Sequence, residues 1–283
     1  MTKIRFTLSF IALVAATLST TSCFSVSKRD QILSSSGEIR HDDPQCTKQN
    51  VASQSQKTLD EEGFTLTSWN IYKQNNDGWR RDLKALSGKS DLVLLQEAYL
   101  TQELTQLLGI TQEEWEMISA FRYKGIHAGV MTASDIPSVA SCAQRIIEPL
   151  AQLPKSSLVS YFPIKGRAQT LLVANIHAVN FTPGLERFTQ QLEEIKTIMA
   201  RHDGPIVFAG DFNTWSQSRM DVLNELTAGL GMKKVEFVDS APVEMMGSHL
   251  DHIFFRDLKL DDAKAIAVES SDHYPLVANF KFD

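Results

Sequence analysis

Basic residues are outnumbered in this 283-residue chain, 28 Lys and Arg against 34 Asp and Glu, for a formal charge of −6. That balance excludes the broad electrostatic footprint of a stable nucleic-acid binder, so a phosphate polyanion must be held by a bound cation and a local groove. Long hydrophobic runs are scarce too: the one at the N-terminus, Phe6 to Leu18, is too short to span a bilayer as a permanent helix. Cysteine is sparse at three. With Cys23 set aside, Cys46 and Cys142 are left to form either one disulfide or two thiols. No repeat recurs at a fixed spacing.

What is present begins with Lys3 and Arg5, followed by the apolar run and then Ser19-Thr20-Thr21-Ser22 before Cys23. This is the layout of a secretory signal peptide over residues 1–22. The alternative, a buried N-terminal helix, lacks a cap and an amphipathic face. A small residue directly before Cys23 is also the pattern of a bacterial lipobox, with Thr20 where an aliphatic residue is usual. Cys23 is thus expected either to carry a lipid anchor or to follow a simple cleavage, which places the protein in the periplasm, on the outer membrane as a lipoprotein, or outside the cell. Removing residues 1–22 deletes two basic side chains and moves the formal charge to −8.

Residues 23–62 are rich in Ser, Gln, Asp and Lys without a period of 2 or 3.6, and are expected to form a flexible tether long enough to hold the domain off a bilayer. Residues 63–283 are expected to form one folded domain. Strand signals recur at Phe64–Ile71, Asp91–Leu95, Ala128–Thr132, Leu158–Phe162, Thr170–Ile176, Ile206–Ala209, His252–Phe255 and Leu276–Phe280. Helices are predicted over Glu186–Ala200, where Phe188, Leu192, Ile195 and Met199 define one apolar face, and over Ser216–Leu226. Strands in series with inserted helices imply packed sheets with helices outside.

The informative polar residues stand at the ends of these strand runs, where open α/β sheets gather their sites. Asn70 closes Ser68-Trp69-Asn70, and Glu97 closes Leu92-Val93-Leu94-Leu95-Gln96-Glu97. His177 and Asn180 follow Val173-Ala174-Asn175-Ile176. Gly210-Asp211-Phe212-Asn213 follows Ile206-Val207-Phe208-Ala209, its i, i+2 spacing directing Asp211 and Asn213 to one side. Asp251-His252 opens an apolar run, and Ser271-Asp272-His273 precedes a Pro-led terminal strand. Each cluster alone suits a turn former, a surface ion pair or a structural histidine. His127, His202 and His249 keep that plain reading, as do Met245-Met246 and Trp215 as loop packing.

Together, in this order and spacing, the six clusters resemble the endonuclease/exonuclease/phosphatase superfamily, which includes deoxyribonuclease I, abasic-site endonucleases and neutral sphingomyelinases. The resemblance spans about Phe64 to Phe282, and Gly129-Val130-Met131 is similar to the family's middle strand. It implies an α/β fold, a four-layered α-β-β-α sandwich with two central mixed sheets. It also implies a Mg²⁺-dependent phosphodiester hydrolase, with Mn²⁺ as a substitute metal. Asn70, Glu97 and Asp272 are then expected to bind the metal, and Asp251 to orient His273. Asp211 is expected to hold the attacking water, with Asn213 and Asn180 binding the phosphate. His177 is expected as a second imidazole, acting as acid opposite His273, with the reverse assignment open; no middle-strand carboxylate is assigned as its partner. Nucleic acid is the first substrate expectation and a lipid headgroup the second, with the chain a monomer. A noncatalytic binding module on the same fold is the third reading, but it requires lost core residues and the matched set is complete.

Overall fold

The computed structural model describes residues 24–41, 57–237, 242–245 and 247–283. The chain opens with β1 (Phe24–Ser25), β2 (Gln31–Ser34) and β3 (Ile39–His41). Next come β4 (Phe64–Asn70), α1 (Trp79–Ser87), β5 (Leu92–Tyr99), α2 (Gln102–Thr111), β6 (Glu114–Tyr123) and β7 (Ile126–Ser134). Then follow β8 (Ala140–Ile147), β9 (Pro154–Pro163), β10 (Thr170–His177), α3 (Glu186–Met199), β11 (Ile206–Asp211) and α4 (Gln217–Gly229). The chain ends with β12 (Lys233–Lys234), β13 (Glu244–Met245), β14 (Ser248–His249), β15 (Asp251–Arg256), β16 (Leu258–Ala265) and β17 (Leu276–Phe282).

One sheet runs β16-β17-β4-β5-β7-β6-β2-β3, with β1 also on β6, and the other runs β12-β15-β11-β10-β9-β8. Each holds a parallel pair, β4 with β5 and β10 with β11, among antiparallel neighbours. The period-2 alternation of the buried strands sorts their side chains between layers. Leu92 and Leu94 of β5 meet Val173 of β10 and Val207 of β11 between the sheets, while Val93 and Leu95 pack outward against Leu83 of α1 and Leu104 of α2. In the other sheet, Leu172, Ile206 and Phe208 pack outward on Phe188 of α3 and Leu223 of α4. The result is the expected four-layered sandwich with two mixed sheets.

Buried polar residues lock the two sheets together just below one rim. Gln96 Nε2 donates to Asn175 Oδ1 at 2.7 Å, and Asn175 Nδ2 donates to Met131 O at 2.9 Å. Because Gln96 precedes Glu97 and Asn175 lies two residues before His177, this contact sets the spacing of the residues above it.

The tether expectation needs correction over residues 24–41, which add strands to the larger sheet. Ile32 and Leu33 are buried, Arg145 pairs with Asp30 and donates to Ser27 O at 3.0 Å, and Arg40 pairs with Glu116. Two adjacent aliphatics on β2 and complementary charges dock the β2–β3 hairpin at the edge of the sheet, in a stretch that composition alone marks as loose. At the other end of the segment, Leu59 is buried and its N–H donates to Pro163 O at 2.9 Å. The signal segment 1–22, Cys23 and Cys46 lie outside the described residues. Cys142 is disulfide-bonded. Among the described residues, no helix is long and apolar enough to cross a membrane.

Candidate active site

Adjacent strand ends lay the chemistry out as a row. Register pairs His177 of β10 with Asp211 of β11, and Asp211 with Asp251 of β15. Asn70 and Glu97 rise from β4 and β5 of the facing sheet. Gly210 makes this possible: its φ is 141°, and a Cβ there would lie 2.0 Å from Ile176 O, so only glycine lets β10 and β11 approach so closely. A register shift in β5 between Leu95 and Ala98 places Glu97 in a bulge at φ 53°. Asn213 has φ 51°. Left-handed conformations at non-glycine residues cost ~1–2 kcal/mol each, and here they aim functional side chains.

His273 is held at three points. Its Nδ1–H donates to Asp251 Oδ2 at 2.6 Å, its N–H to Ser271 Oγ at 3.1 Å, and its carbonyl accepts from Trp69 Nε1 at 3.1 Å. Burial opposes charge on this imidazole, but Asp251, followed by Asp211 and Asp272, outweighs it and pushes the pKa up to about 10. Asp211 accepts from Asn70 Nδ2 at 2.9 Å and from the Asn213 N–H at 3.0 Å. Burial, reinforced by the Asp251 charge, raises its carboxyl to about 6. One Asp211 oxygen lies 3.4 Å from His177 Nε2 and 4.0 Å from His273 Nε2, between the two imidazoles.

Lys155 Nζ donates to His177 Nε2 at 2.7 Å. Burial and then the Lys155 charge hold the His177 pKa well below its usual value. Glu97 receives Lys73 as an ion-pair partner and has Lys155 Nζ at 3.9 Å. The lysines are the functional residues that sequence reasoning missed. Lys73 stands on a turn in which Tyr72, Lys73 and Gln74 all take positive φ, and Lys155 opens a strand; neither has a local signal.

The structure therefore brings together Asn70, Glu97, His177, Asp211, Asp251, Asp272 and His273. Asn213 joins them through Asp211, with its Nδ2 also donating to Ala178 O at 2.9 Å. Asn180 is engaged elsewhere, accepting from Trp215 Nε1 at 3.0 Å. The unforeseen Arg219, buried between Phe188 and Trp215, donates to Val179 O, Asn180 O and Asn213 O and so ties the two site loops together. His252 turns away from Asp251 and bonds Thr214 Oγ1 at 2.8 Å. Glu116 serves Arg40, Ser138 and Ser141, away from the site.

Glu97, Asp272 and Asn70 form an all-oxygen donor set of the kind hard divalent cations take. Burial and then the Glu97 charge, against the opposing pull of His273, raise the Asp272 carboxyl, the repulsion a bound cation relieves. By donor chemistry the set suits such an ion; Glu97 is ion-paired with Lys73 and Asn70 Oδ1 accepts from the Tyr72 N–H at 3.1 Å, contacts a bound cation would displace. Asp211, Asp251 and His273 also lie within ligand reach of one another. His273 Nδ1 and Asp251 Oδ2 are already committed to each other, and Asp211 accepts from Asn70 and Asn213.

Carboxylates, imidazoles and amides gathered at one rim of a four-layered sandwich can supply the proton-transfer and ligand groups that hydrolysis of a phosphoric ester needs. This chain belongs to the Endonuclease/Exonuclease/phosphatase family, whose model matches residues 67–273. It is 37% identical over 279 residues to a UPF0294 protein of Vibrio parahaemolyticus, covering 98% of each chain. To a UPF0294 protein of Photorhabdus laumondii it is 39% identical over 212 residues, covering 75% of this chain and 81% of that one. Among solved structures, an endonuclease/exonuclease/phosphatase from Beutenbergia cavernae matches with a TM-score of 0.60 at 17% identity, over 78% of this chain and 72% of that one. The human Nocturnin catalytic domain with bound sulfate anion matches at 0.58 and 19% identity, over 81% and 98%. At such identities the shared property is the fold.

Proposed function

We propose that this protein is an exported, Mg²⁺-dependent phosphodiester hydrolase, directed across the membrane by residues 1–22 and working in the periplasm or anchored at Cys23. The observation that carries the reading is the 2.6 Å His273–Asp251 pair beside an Asp211 carboxylate that stands between two imidazoles.

Hydrolysis needs a proton taken from water, a proton given to the leaving oxygen, and charge balance on the nonbridging oxygens. Asp211 is placed to hold the water. His273, fixed through Nδ1, presents Nε2 toward Asp211 and serves as the donor facing phosphate or leaving group. His177 accepts from Lys155, which favours its use as a hydrogen-bond or proton acceptor over the acid role. The water oxygen bonds to phosphorus, its proton passes to the acceptor side, the ester P–O bond breaks, and the departing oxygen takes a proton from His273. Glu97, Asp272 and Asn70 would hold the metal, which supplies Lewis-acid neutralisation of phosphate charge. Lys73 and Lys155 add positive charge beside it.

Nucleic acid is the substrate class the family resemblance suggests first. A lipid headgroup is the second reading, favoured by apolar residues lining the cleft beside Glu97 and His177. The test is incubation of purified protein, in Mg²⁺ or EDTA, with single-stranded DNA, duplex DNA, RNA, sphingomyelin and bis-nitrophenyl phosphate. Cleavage that EDTA abolishes supports the hydrolase reading, and no Mg²⁺-dependent cleavage of any of them points to a binding module.

A further inference from the structure

Asn70 and Glu97, the donors that β4 and β5 contribute to the metal set, are both met by one short turn. Tyr72–Gln74 follows closely on Asn70 at the end of β4. The Tyr72 N–H donates to Asn70 Oδ1 at 3.1 Å, and the next residue, Lys73, pairs with Glu97. One three-residue element therefore lies across the amide of one strand and the carboxylate of its neighbour.

The backbone of this turn is held in a disfavoured shape. Tyr72, Lys73 and Gln74 have φ of 50°, 57° and 57°, three consecutive left-handed residues, none of them glycine. Residues with a Cβ usually enter that region singly, and such strain persists where the surrounding structure over-determines it. Here the turn is fastened on both sides. The Ile71 N–H donates to Gln96 O at 3.0 Å, Gln74 Nε2 donates to Tyr99 O at 2.8 Å, and Gln74 Oε1 accepts from the Tyr99 N–H at 3.0 Å. Gln96 and Tyr99 flank the bulge that carries Glu97, so the turn is clamped onto the strand whose carboxylate Lys73 meets.

A solvated ion pair on a protein surface needs no such scaffold. An ammonium and a hard divalent cation are rivals for one carboxylate, since either neutralises it and the two repel each other. Lys155 is placed differently: its Nζ donates to His177 Nε2 at 2.7 Å and stands 3.9 Å from Glu97. Lys73 is thus the cation set directly against the metal donors. It also lines the cleft with Lys155 and His177, so an ammonium that gives up Glu97 remains beside the place where a phosphate must sit.

Resting on the Mg²⁺-dependent hydrolase reading, we infer that Lys73 is a tethered counter-ion of the metal site. It balances Glu97, yields that carboxylate to a divalent cation, and then presents its ammonium to a nonbridging oxygen of the substrate phosphate. The clamped turn sets how tightly metal binds, and the charge that the metal displaces is reused on the substrate.

Mn²⁺ binding to the full chain, followed by loss of the free-ion paramagnetic resonance signal, reads the exchange without turnover. Lys73→Met should bind Mn²⁺ about tenfold more tightly than wild type, because the rival charge is gone. Lys73→Arg keeps the charge and should stay near the wild-type affinity. At saturating Mn²⁺, Lys73→Met should raise KM for bis-nitrophenyl phosphate about fivefold. In the wild type, Mn²⁺ should increase acetylation of Lys73 by acetic anhydride, read by peptide mass spectrometry, a measurement that needs no variant. A lysine that only shapes the turn would not tighten metal binding on removal. Equal or weaker Mn²⁺ affinity in Lys73→Met, equal tightening in Lys73→Arg, or Lys73 acetylation unmoved by Mn²⁺ overturns the exchange, and an unchanged KM overturns the phosphate role. Glu97→Gln separates these failures from failure of the underlying reading. Mn²⁺ binding lost in Glu97→Gln but unaltered in Lys73→Met overturns the exchange alone, whereas Mn²⁺ binding that is absent in wild type, or intact in Glu97→Gln, overturns the metal site as well.

Discussion

The two sides of the catalytic cleft are built differently. On the His273 side, polar contacts are met by fixed partners: Trp69 on the carbonyl, Ser271 on the amide, Asp251 on the ring, and Asn70 and Asn213 on Asp211. On the Glu97 side, long lysines reach across a bulge, and the wall beyond them consists of hairpins with apolar tips. In the proposed mechanism the chemistry sits on strand ends that the core holds rigid, while the hairpins lining the cleft can differ without disturbing it. Damage to the first side, or to Glu97 and the lysines beside it, should therefore lower turnover of every substrate, whereas changes to the hairpin wall beyond them should sort substrates.

The largest effect should come from Asp251→Asn, which keeps the shape and removes the charge that orients His273. Turnover of bis-nitrophenyl phosphate should fall about 10²- to 10⁴-fold, with the melting temperature little changed. Next is Arg219→Met. Removing the guanidinium leaves the carbonyls of Val179, Asn180 and Asn213 buried without their donor, which should cost about 3 kcal/mol in urea unfolding. Lys155→Met addresses the second side. About a tenfold loss in kcat/KM is expected, and the His177 titration followed by NMR should move upward once the neighbouring cation is gone.

The smallest effect concerns pH. Burial pushes the His252 pKa down to about 3, below the ~6.5 of an unfolded chain. Between those values the unfolded state binds a proton that the folded state refuses, so the contribution is complete above pH ~6.5 and is lost as pH falls. His252→Gln should reduce the loss of stability between pH 7.5 and pH 5 by about 1–2 kcal/mol relative to wild type, read from urea midpoints.

Much of this was legible in the sequence because buried strands announce themselves. Thr170–Ile176 and Ile206–Ala209 are nearly continuous apolar runs, and the polar residue that ends each belongs to the site. α3 was visible from the spacing of Phe188, Leu192, Ile195 and Met199. Edge strands were not visible: β16 reads Leu-Lys-Leu-Asp-Asp-Ala-Lys-Ala and has one largely solvated face, so its pattern resembles a loop. β2 was hidden in a polar stretch where only Ile32 and Leu33 carry the docking. Lys73, Lys155 and Arg219 escaped for a related reason. Long basic side chains act where tertiary folding places their tips, and nothing in the neighbouring residues records that position.

The most direct test of the central claim is the turnover of bis-nitrophenyl phosphate in Mg²⁺ by wild type and by His273→Ala, compared at matched folded concentration. The account predicts a rate lower by about 10²-fold or more in the variant. Equal rates would mean that His273 and its Asp251 partner are not the centre of the chemistry.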